Sequence, residues 1–277
     1  MPSFASADLF DASENGNVFE VSRSLEDPTV DVNRQWDYKK ATALHIASVR
    51  GHCDVVKILL THPDININAR DYFGQTPISI ACECNKPSVF RTLLKDRRVD
   101  VSLDDNYGRT PLWYASYEGY LEMIECLIAS GKYIGDVENK KSKTFQVEGS
   151  STALEIARVW DFKKIVSLLE RYIAKPLQTI HELRVKTGML NEMAANRFAL
   201  IVFLCDGLLR LKHSSISTED MQFRFLSIAS RLPMEIQMIL CHRVVGSMKQ
   251  NIIRQHSEQA FKHLAHTILT SERGKEI

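Results

Sequence analysis

Thr42-Ala-Leu-His-Ile-Ala47, Thr76-Pro-Ile-Ser-Ile-Ala81 and Thr110-Pro-Leu-Trp-Tyr-Ala115 repeat one six-residue phrase every 34 residues, and a worn copy, Thr152-Ala-Leu-Glu-Ile-Ala157, follows after 42. A fixed period of this length means stacked supersecondary units, none of which can bury its apolar face alone. Such a stack normally presents an extended binding surface and no chemistry. The sequence therefore constrains how this chain binds more tightly than what it binds.

Each unit has a local logic. Asp71 and Gly74 suit a tight turn, because Asp bonds nearby backbone and Gly takes positive φ without strain. Thr76 followed by Pro77 is a helix start, a hydroxyl acceptor at the N-cap and then Pro at the first helical position. Ile78, Ile80 and Ala81, like Leu112 and Ala115, place apolar groups on one helical face. Small Ala47, Ala81, Ala115 and Ala157 let helices of adjacent units approach closely. Second helices are predicted over residues 54–61, 88–95, 121–130 and 162–172.

In phase, these copies resemble the ankyrin repeat. The second matches best, with Asn68, Asp71, Gly74, Thr76-Pro77-Ile78, Ala81 and an apolar helix ending Leu93-Leu94. The third has Asp105, Gly108, Thr110-Pro111-Leu112, Ala115, Gly119 and Cys126-Leu127-Ile128. The first keeps Thr42, Leu44-His45, Ala47 and Gly51-His52, but puts Lys40 where the glycine belongs and Ala43 for the proline. The resemblance covers about residues 8–173. It implies an all-α, mainly helical fold: a solenoid with short β-hairpin tips over residues 1–174, followed by a compact α-helical domain over 175–277. Within the solenoid fall a capping unit at 8–33 and repeats at about 34–68, 69–102, 103–150 and 151–174. Between Gly131 and Ser151 the period breaks by eight extra residues, rich in Lys, Glu and Gly. That insertion reads either as a mobile polar loop or as part of the binding face.

The resemblance also implies a non-enzymatic protein–protein interaction module, whose hairpin tips and inner-helix positions line a concave face. Carried onto this chain, those positions are Tyr38 and Arg50; Tyr72, Phe73 and Glu83; Tyr107, Arg109, Tyr117 and Glu118; and Trp160. Trp113 stands where the phrase usually has His and is expected to enlarge the aromatic surface. Tyr, Trp and Arg are enriched in binding hot spots because they bury large area for little entropy. The alternative for each is packing on a neighbouring hairpin.

Composition limits the other function classes. A net charge of +1 argues against general electrostatic capture of nucleic acid or an anionic membrane, and residues 175–277 carry only 14 Lys and Arg against 9 Asp and Glu. The N-terminus has no basic segment followed by an apolar core, so no secretory signal is read. The most apolar run, 199–205, is far below the ~20 residues that span a bilayer. The expected compartment is the cytoplasm, with the nucleus left open by Lys140-Lys141-Ser142-Lys143, which also reads as an exposed loop. The six cysteines show no Cys-x-x-Cys pair, and Cys82-Glu-Cys84 lacks two further ligands for a metal. His181-Glu182 lacks the second His of a zinc-protease helix, and His263 with His266 lacks a third ligand. No phosphate-binding glycine loop or nucleophile elbow appears, so no cofactor and no catalysis are expected.

The phrase stops near Ile173, and Lys175-Pro176 breaks the helix before it. Helices are then predicted over 177–186, 191–212, 218–231, 233–245 and 257–269. Within them, Leu232-Pro233-Met-Glu235-Ile236, followed by Ile239-Leu240, resembles the opening of an F-box. That resemblance implies docking on a Skp-type adaptor of cullin ubiquitin ligases through Leu232, Pro233, Glu235, Ile236 and Ile239. The second-helix Asp-Leu pattern of the family is missing, and Leu-Pro-x-Glu is also an ordinary helix start.

Overall fold

The computed structural model describes residues 4–36, 38–137, 142–143, 150–205, 234–245, 252, 256–257, 259–262 and 264. Contacts divide the chain into two compact units, Met1–Leu183 and Arg184–Ile277.

The first unit is a row of helical hairpins. They are α1 (Phe4–Asn15) with α2 (Val18–Leu25), α3 (Ala43–Arg50) with α4 (Cys53–Thr61), and α5 (Pro77–Glu83) with α6 (Pro87–Lys95). α7 (Pro111–Glu118) with α8 (Leu121–Ser130) and α9 (Ala153–Val159) with α10 (Lys163–Ala174) complete the row. The inner helices α1, α3, α5, α7 and α9 pack each on the next, and so do the outer helices α2, α4, α6, α8 and α10. The repeat is therefore an ankyrin-type stack, as its phrase predicts.

Local chemistry starts and stops the four hairpins after the first in the same way. Thr42, Thr76, Thr110 and Thr152 sit in extended backbone and accept from the backbone N–H three residues on. Thr42 with His45 and Thr152 with Glu155 close full capping boxes. Ala47, Ala81, Ala115 and Ala157 are completely buried. Their carbonyls accept the N–H of His52, Lys86, Tyr120 and Phe162 respectively. The chain reverses at a left-handed residue just before each of these donors: Gly51, Asn85, Gly119 and Asp161. Glycine there also makes room, since a Cβ on Gly119 would lie 2.7 Å from the Phe162 ring of the following hairpin.

Between repeats, Leu44, Leu59, Ile78, Phe90, Leu93, Leu112, Ile124, Leu127 and Ile156 form a fully buried core. Each such side chain contributes roughly 1.5–3 kcal/mol by leaving water. Asparagines tie the outer edge together. Asn33 donates to the Asp64 carbonyl (2.7 Å) and accepts from Asn66 N–H (2.7 Å); Asn68 donates to the Arg98 carbonyl (2.8 Å) and accepts from Asp100 N–H (2.9 Å).

In the insertion, β1 (Ser142–Lys143) pairs antiparallel with β2 (Ser150–Ser151). Ser142 is buried and its hydroxyl donates to the Gly108 carbonyl at 2.6 Å, fixing this hairpin to the third tip. Beyond α10, Pro176 opens α11 (Pro176–Lys186). The Thr179 hydroxyl bonds the carbonyls of Lys175 (2.9 Å) and Arg171 (3.1 Å), and Arg171 pairs with Glu182. The boundary between the compact units therefore falls after Leu183, past the break at Pro176.

In the second unit, α12 (Met189–Cys205) packs on α13 (Met234–Val244). Leu190, Ala194, Phe198, Ile201, Cys241 and Val245 form its core, with Phe261 edge-on to Phe198 at 6.2 Å. The helix predicted over 218–231 lies outside the described residues. No helix among the described residues is long and apolar enough to cross a membrane.

Candidate protein-interaction face

The tips are built around an aspartate. Asp71 Oδ1 accepts from Phe73 N–H (2.9 Å) and Gln75 N–H (2.8 Å), while Gly74 N–H returns to the Asp71 carbonyl (3.0 Å). Asp105 repeats the arrangement with Tyr107, Arg109 and Gly108. Burial raises the Asp71 carboxyl, and the charges of Glu83 and Asp105 add to the rise against its two backbone donors. Adjacent tips are zipped by backbone: Tyr72 N–H donates to the Lys39 carbonyl (2.7 Å) and Asn106 N–H to the Phe73 carbonyl (2.9 Å). Lys40 holds the left-handed position with φ 51°, where Gly74 and Gly108 both have φ 79°.

This scaffold projects aromatic rings into solvent. Tyr38 is 78% exposed, Tyr72 58% and Phe73 42%. Tyr72 and Phe73 meet edge-on at 5.4 Å. Tyr107 is half-buried, with the Arg109 guanidinium 4.5 Å over its ring. Arg109 also donates from Nε to Asp105 Oδ2 (2.9 Å), whose side chain is wholly buried. The arginine is thus committed inside the protein, where an inner-face contact residue is expected.

Behind the tips runs a hydrogen-bonded chain across two repeats. Gln75 Nε2 donates to Glu83 Oε2 (2.6 Å) and to the Tyr114 hydroxyl (2.7 Å), which itself donates to Asp105 Oδ2 (2.8 Å). Burial, then Glu83 and Asp105, drive the Tyr114 hydroxyl far above the usual tyrosine range, so it stays a donor. Sequence reasoning missed Gln75 and Tyr114. For Tyr114 the signal is positional, because Ile46, Ile80 and Ile156 hold its place in the other copies; Gln75 gives none, since Ala41, Arg109 and Ser151 share no character there.

Trp113 corrects the expectation of an enlarged aromatic surface, because it is only 2% exposed. Its indole N–H donates to the Ser151 carbonyl at 3.2 Å. His45, the equivalent residue two repeats earlier, bonds the Gln75 carbonyl at 3.2 Å. Gln75 and Ser151 each precede the phrase threonine of the next repeat, so tryptophan does the histidine's work rather than a surface's. Tyr117 stacks on Trp113 (centroids 5.1 Å apart, rings 13° from parallel), and the exposed Trp160 meets Tyr117 edge-on at 5.7 Å.

The charged candidates separate along the face. Arg50 is paired with Glu14 of the capping hairpin, whereas Glu83 and Glu118 are exposed farther along, at the ends of α5 and α7. Cys82 and Cys84 point apart: the first is buried and donates to the Pro111 carbonyl (3.3 Å), the second is exposed. No group of three or more metal-ligating side chains exists among the described residues. Of the F-box-like positions, Leu232 and Pro233 lie outside the described residues, Glu235 lies on α13, Ile236 is exposed and Ile239 is half-buried.

The family model for ankyrin repeats, in three copies, matches residues 9–71 and 67–141. Eighty-five residues are 34% identical to the mitochondrial liver isoform of glutaminase from Rattus norvegicus, covering 31% of this chain and 14% of that protein. Glutaminase similarity of this kind is confined to the repeat region. A 52-residue stretch is 44% identical to an ankyrin repeat protein of Rickettsia bellii, covering 19% of this chain and 53% of that one. The chain thus spans about half of the bacterial relative and a small fraction of the glutaminase.

Proposed function

From a chain that carries ankyrin repeats over residues 9–141, we propose a non-enzymatic interaction module that holds a partner protein on the tips and concave face of its stack. Ankyrin repeats are in general protein-binding units. The observation that carries the finer reading is the exposure of Tyr38, Tyr72, Phe73 and Trp160 on hydrogen-bonded, capped elements. Large rings already held in place lose little further entropy on binding, which is what makes them anchors. The free cysteines among the described residues, Cys53, Cys82, Cys84, Cys126 and Cys241, fit a reducing compartment such as the cytoplasm. In this reading, the second compact unit, Arg184–Ile277, serves a second contact.

The test is a triple substitution, Tyr72→Ala, Phe73→Ala and Tyr107→Ala, in the full chain. Circular dichroism should be unchanged, and proteins captured from a lysate by the wild type should be lost. Undiminished capture by a folded triple variant refutes the assignment of this face.

A second reading makes the chain a substrate receptor that meets a Skp-type adaptor through Leu232, Pro233, Glu235, Ile236 and Ile239. The exposure of Met234 and Ile236 at the start of α13 favours it. Co-purification with the adaptor, abolished by Leu232→Ala with Pro233→Ala, would support this reading, and absence of the adaptor would remove it.

A further inference from the structure

The inner helices set equivalent residues in two neighbouring rows, two and three residues after each buried alanine. One row runs Glu14, Val49, Glu83, Tyr117, Val159; the other runs Asn15, Arg50, Cys84, Glu118, Trp160. At the capping end the charges cancel, since Arg50 pairs with Glu14. From Glu83 onward neither row holds a basic residue, and Glu83 and Glu118 are exposed and in no ion pair among the described residues. Arg109 is held on Asp105 and Arg158 on Glu170, while the Lys86 ammonium acts on the Cys84 thiol. Glu83 ends α5 and Glu118 ends α7, and these two helices pack on each other; burial first, then both carboxylates, pushes up the Cys82 thiol on α5. Beside them stand exposed Val159 and the perpendicular pair Tyr117 and Trp160, the former backed by buried Trp113.

We propose that this end of the concave face, formed by Glu83, Cys84, Tyr117, Glu118, Val159 and Trp160, seats a basic segment of the partner protein. A Lys or Arg side chain of that segment lies on the Tyr117 and Trp160 rings, with its charge against Glu83 and Glu118. Cations are drawn to aromatic faces by the ring quadrupole, and two exposed carboxylates on the adjoining positions add attraction. Val159 receives an apolar neighbour of the basic residue. An acidic segment is rejected by the same two charges. The inference rests on the concave-face reading above and names the chemistry of its partner.

The experiment titrates the full chain into a fluorescein-labelled peptide of alternating Lys and Leu, and into its Glu and Leu counterpart, read by fluorescence anisotropy. Only the Lys peptide should bind, with an affinity that falls as salt rises. Glu83→Gln with Glu118→Gln should weaken it roughly tenfold, and Trp160→Ala by a similar factor. Glu26→Gln with Asp64→Asn removes the same charge from exposed positions off this face and should leave the affinity unchanged. Equal binding of the two peptides, or equal losses in the two double variants, overturns the proposal. If the Lys peptide ignores the patch while the Tyr72, Phe73 and Tyr107 triple variant still loses its captured partners, the cationic seat fails and the broader reading stands. If the peptide needs the patch but capture ignores the tips, the seat stands and the tips are removed from the interface.

Discussion

Acidification should weaken the stack through His45. Its imidazole is almost wholly buried, and burial pushes its pKa from 6.5 down to about 4, outweighing the backbone hydrogen bonds that favour protonation. The neutral form is required by its partners. The Gln75 carbonyl can only accept, so Nε2 carries the proton, and Nδ1 accepts from the Thr42 N–H (3.2 Å) and faces the Thr42 hydroxyl (2.8 Å). A second proton on Nδ1 would confront that N–H.

Because the folded pKa lies below the unfolded one, the unfolded chain binds more protons as pH falls through this window. The contribution of the neutral histidine is complete above pH 6.5 and is lost between there and about pH 4. The loss is about 1.4 kcal/mol per pH unit within the window, or about 2 kcal/mol between pH 7.5 and pH 5. The assay is urea unfolding of wild type and His45→Gln at both pH values. Titration of every other group cancels in the difference, leaving wild type with about 2 kcal/mol more loss than the variant. Parallel losses, agreeing within about 0.5 kcal/mol, would refute a buried neutral His45.

Gly74 has φ 79°, and a Cβ there would lie 2.5 Å from Asn106 Oδ1 and 2.9 Å from Asn106 N. Gly74→Ala should therefore cost about 2–4 kcal/mol in urea unfolding, whereas Lys40→Gly at the equivalent place should stabilise by about 0.5–1 kcal/mol. Trp113→Phe keeps a ring but leaves the Ser151 carbonyl without its indole donor, and should lower stability by about 1–3 kcal/mol. Retained stability in that variant would show the bond to be unimportant. Asn68→Ala removes both ties to the following repeat, costing about 1–3 kcal/mol. Faster amide hydrogen exchange at Asp100 is the local sign to look for, and an unchanged rate would count against the tie.

The hairpins were legible because their causes are local. Thr76-Pro77 announces an N-cap, and the second helices read as 88–95 and 121–130 appear as Pro87–Lys95 and Leu121–Ser130. Lys40 could be recognised as a misfit at a glycine position, and the chain indeed turns left-handed there. The face was legible only as a set of positions. Tyr72, Phe73 and Trp160 are exposed, but Arg109 is drawn onto Asp105 and Trp113 is buried. Nothing in the phrase reveals that an indole at position 113 reaches a carbonyl 38 residues away across an insertion.

What the sequence determined by itself is the repeat: its caps, its left-handed turns, its small-residue row and the alternation of inner and outer helices. These depend on groups only a few residues apart. The tertiary structure decided which ring faces solvent, which guanidinium is already engaged, and where, among the described residues, two carboxylates stand outside any ion pair. Those outcomes turn on groups from successive repeats, some 30 to 40 residues apart, that meet only once the stack has formed. A side chain's neighbours in space, rather than its type, then settle whether it supports the fold or remains open to a partner.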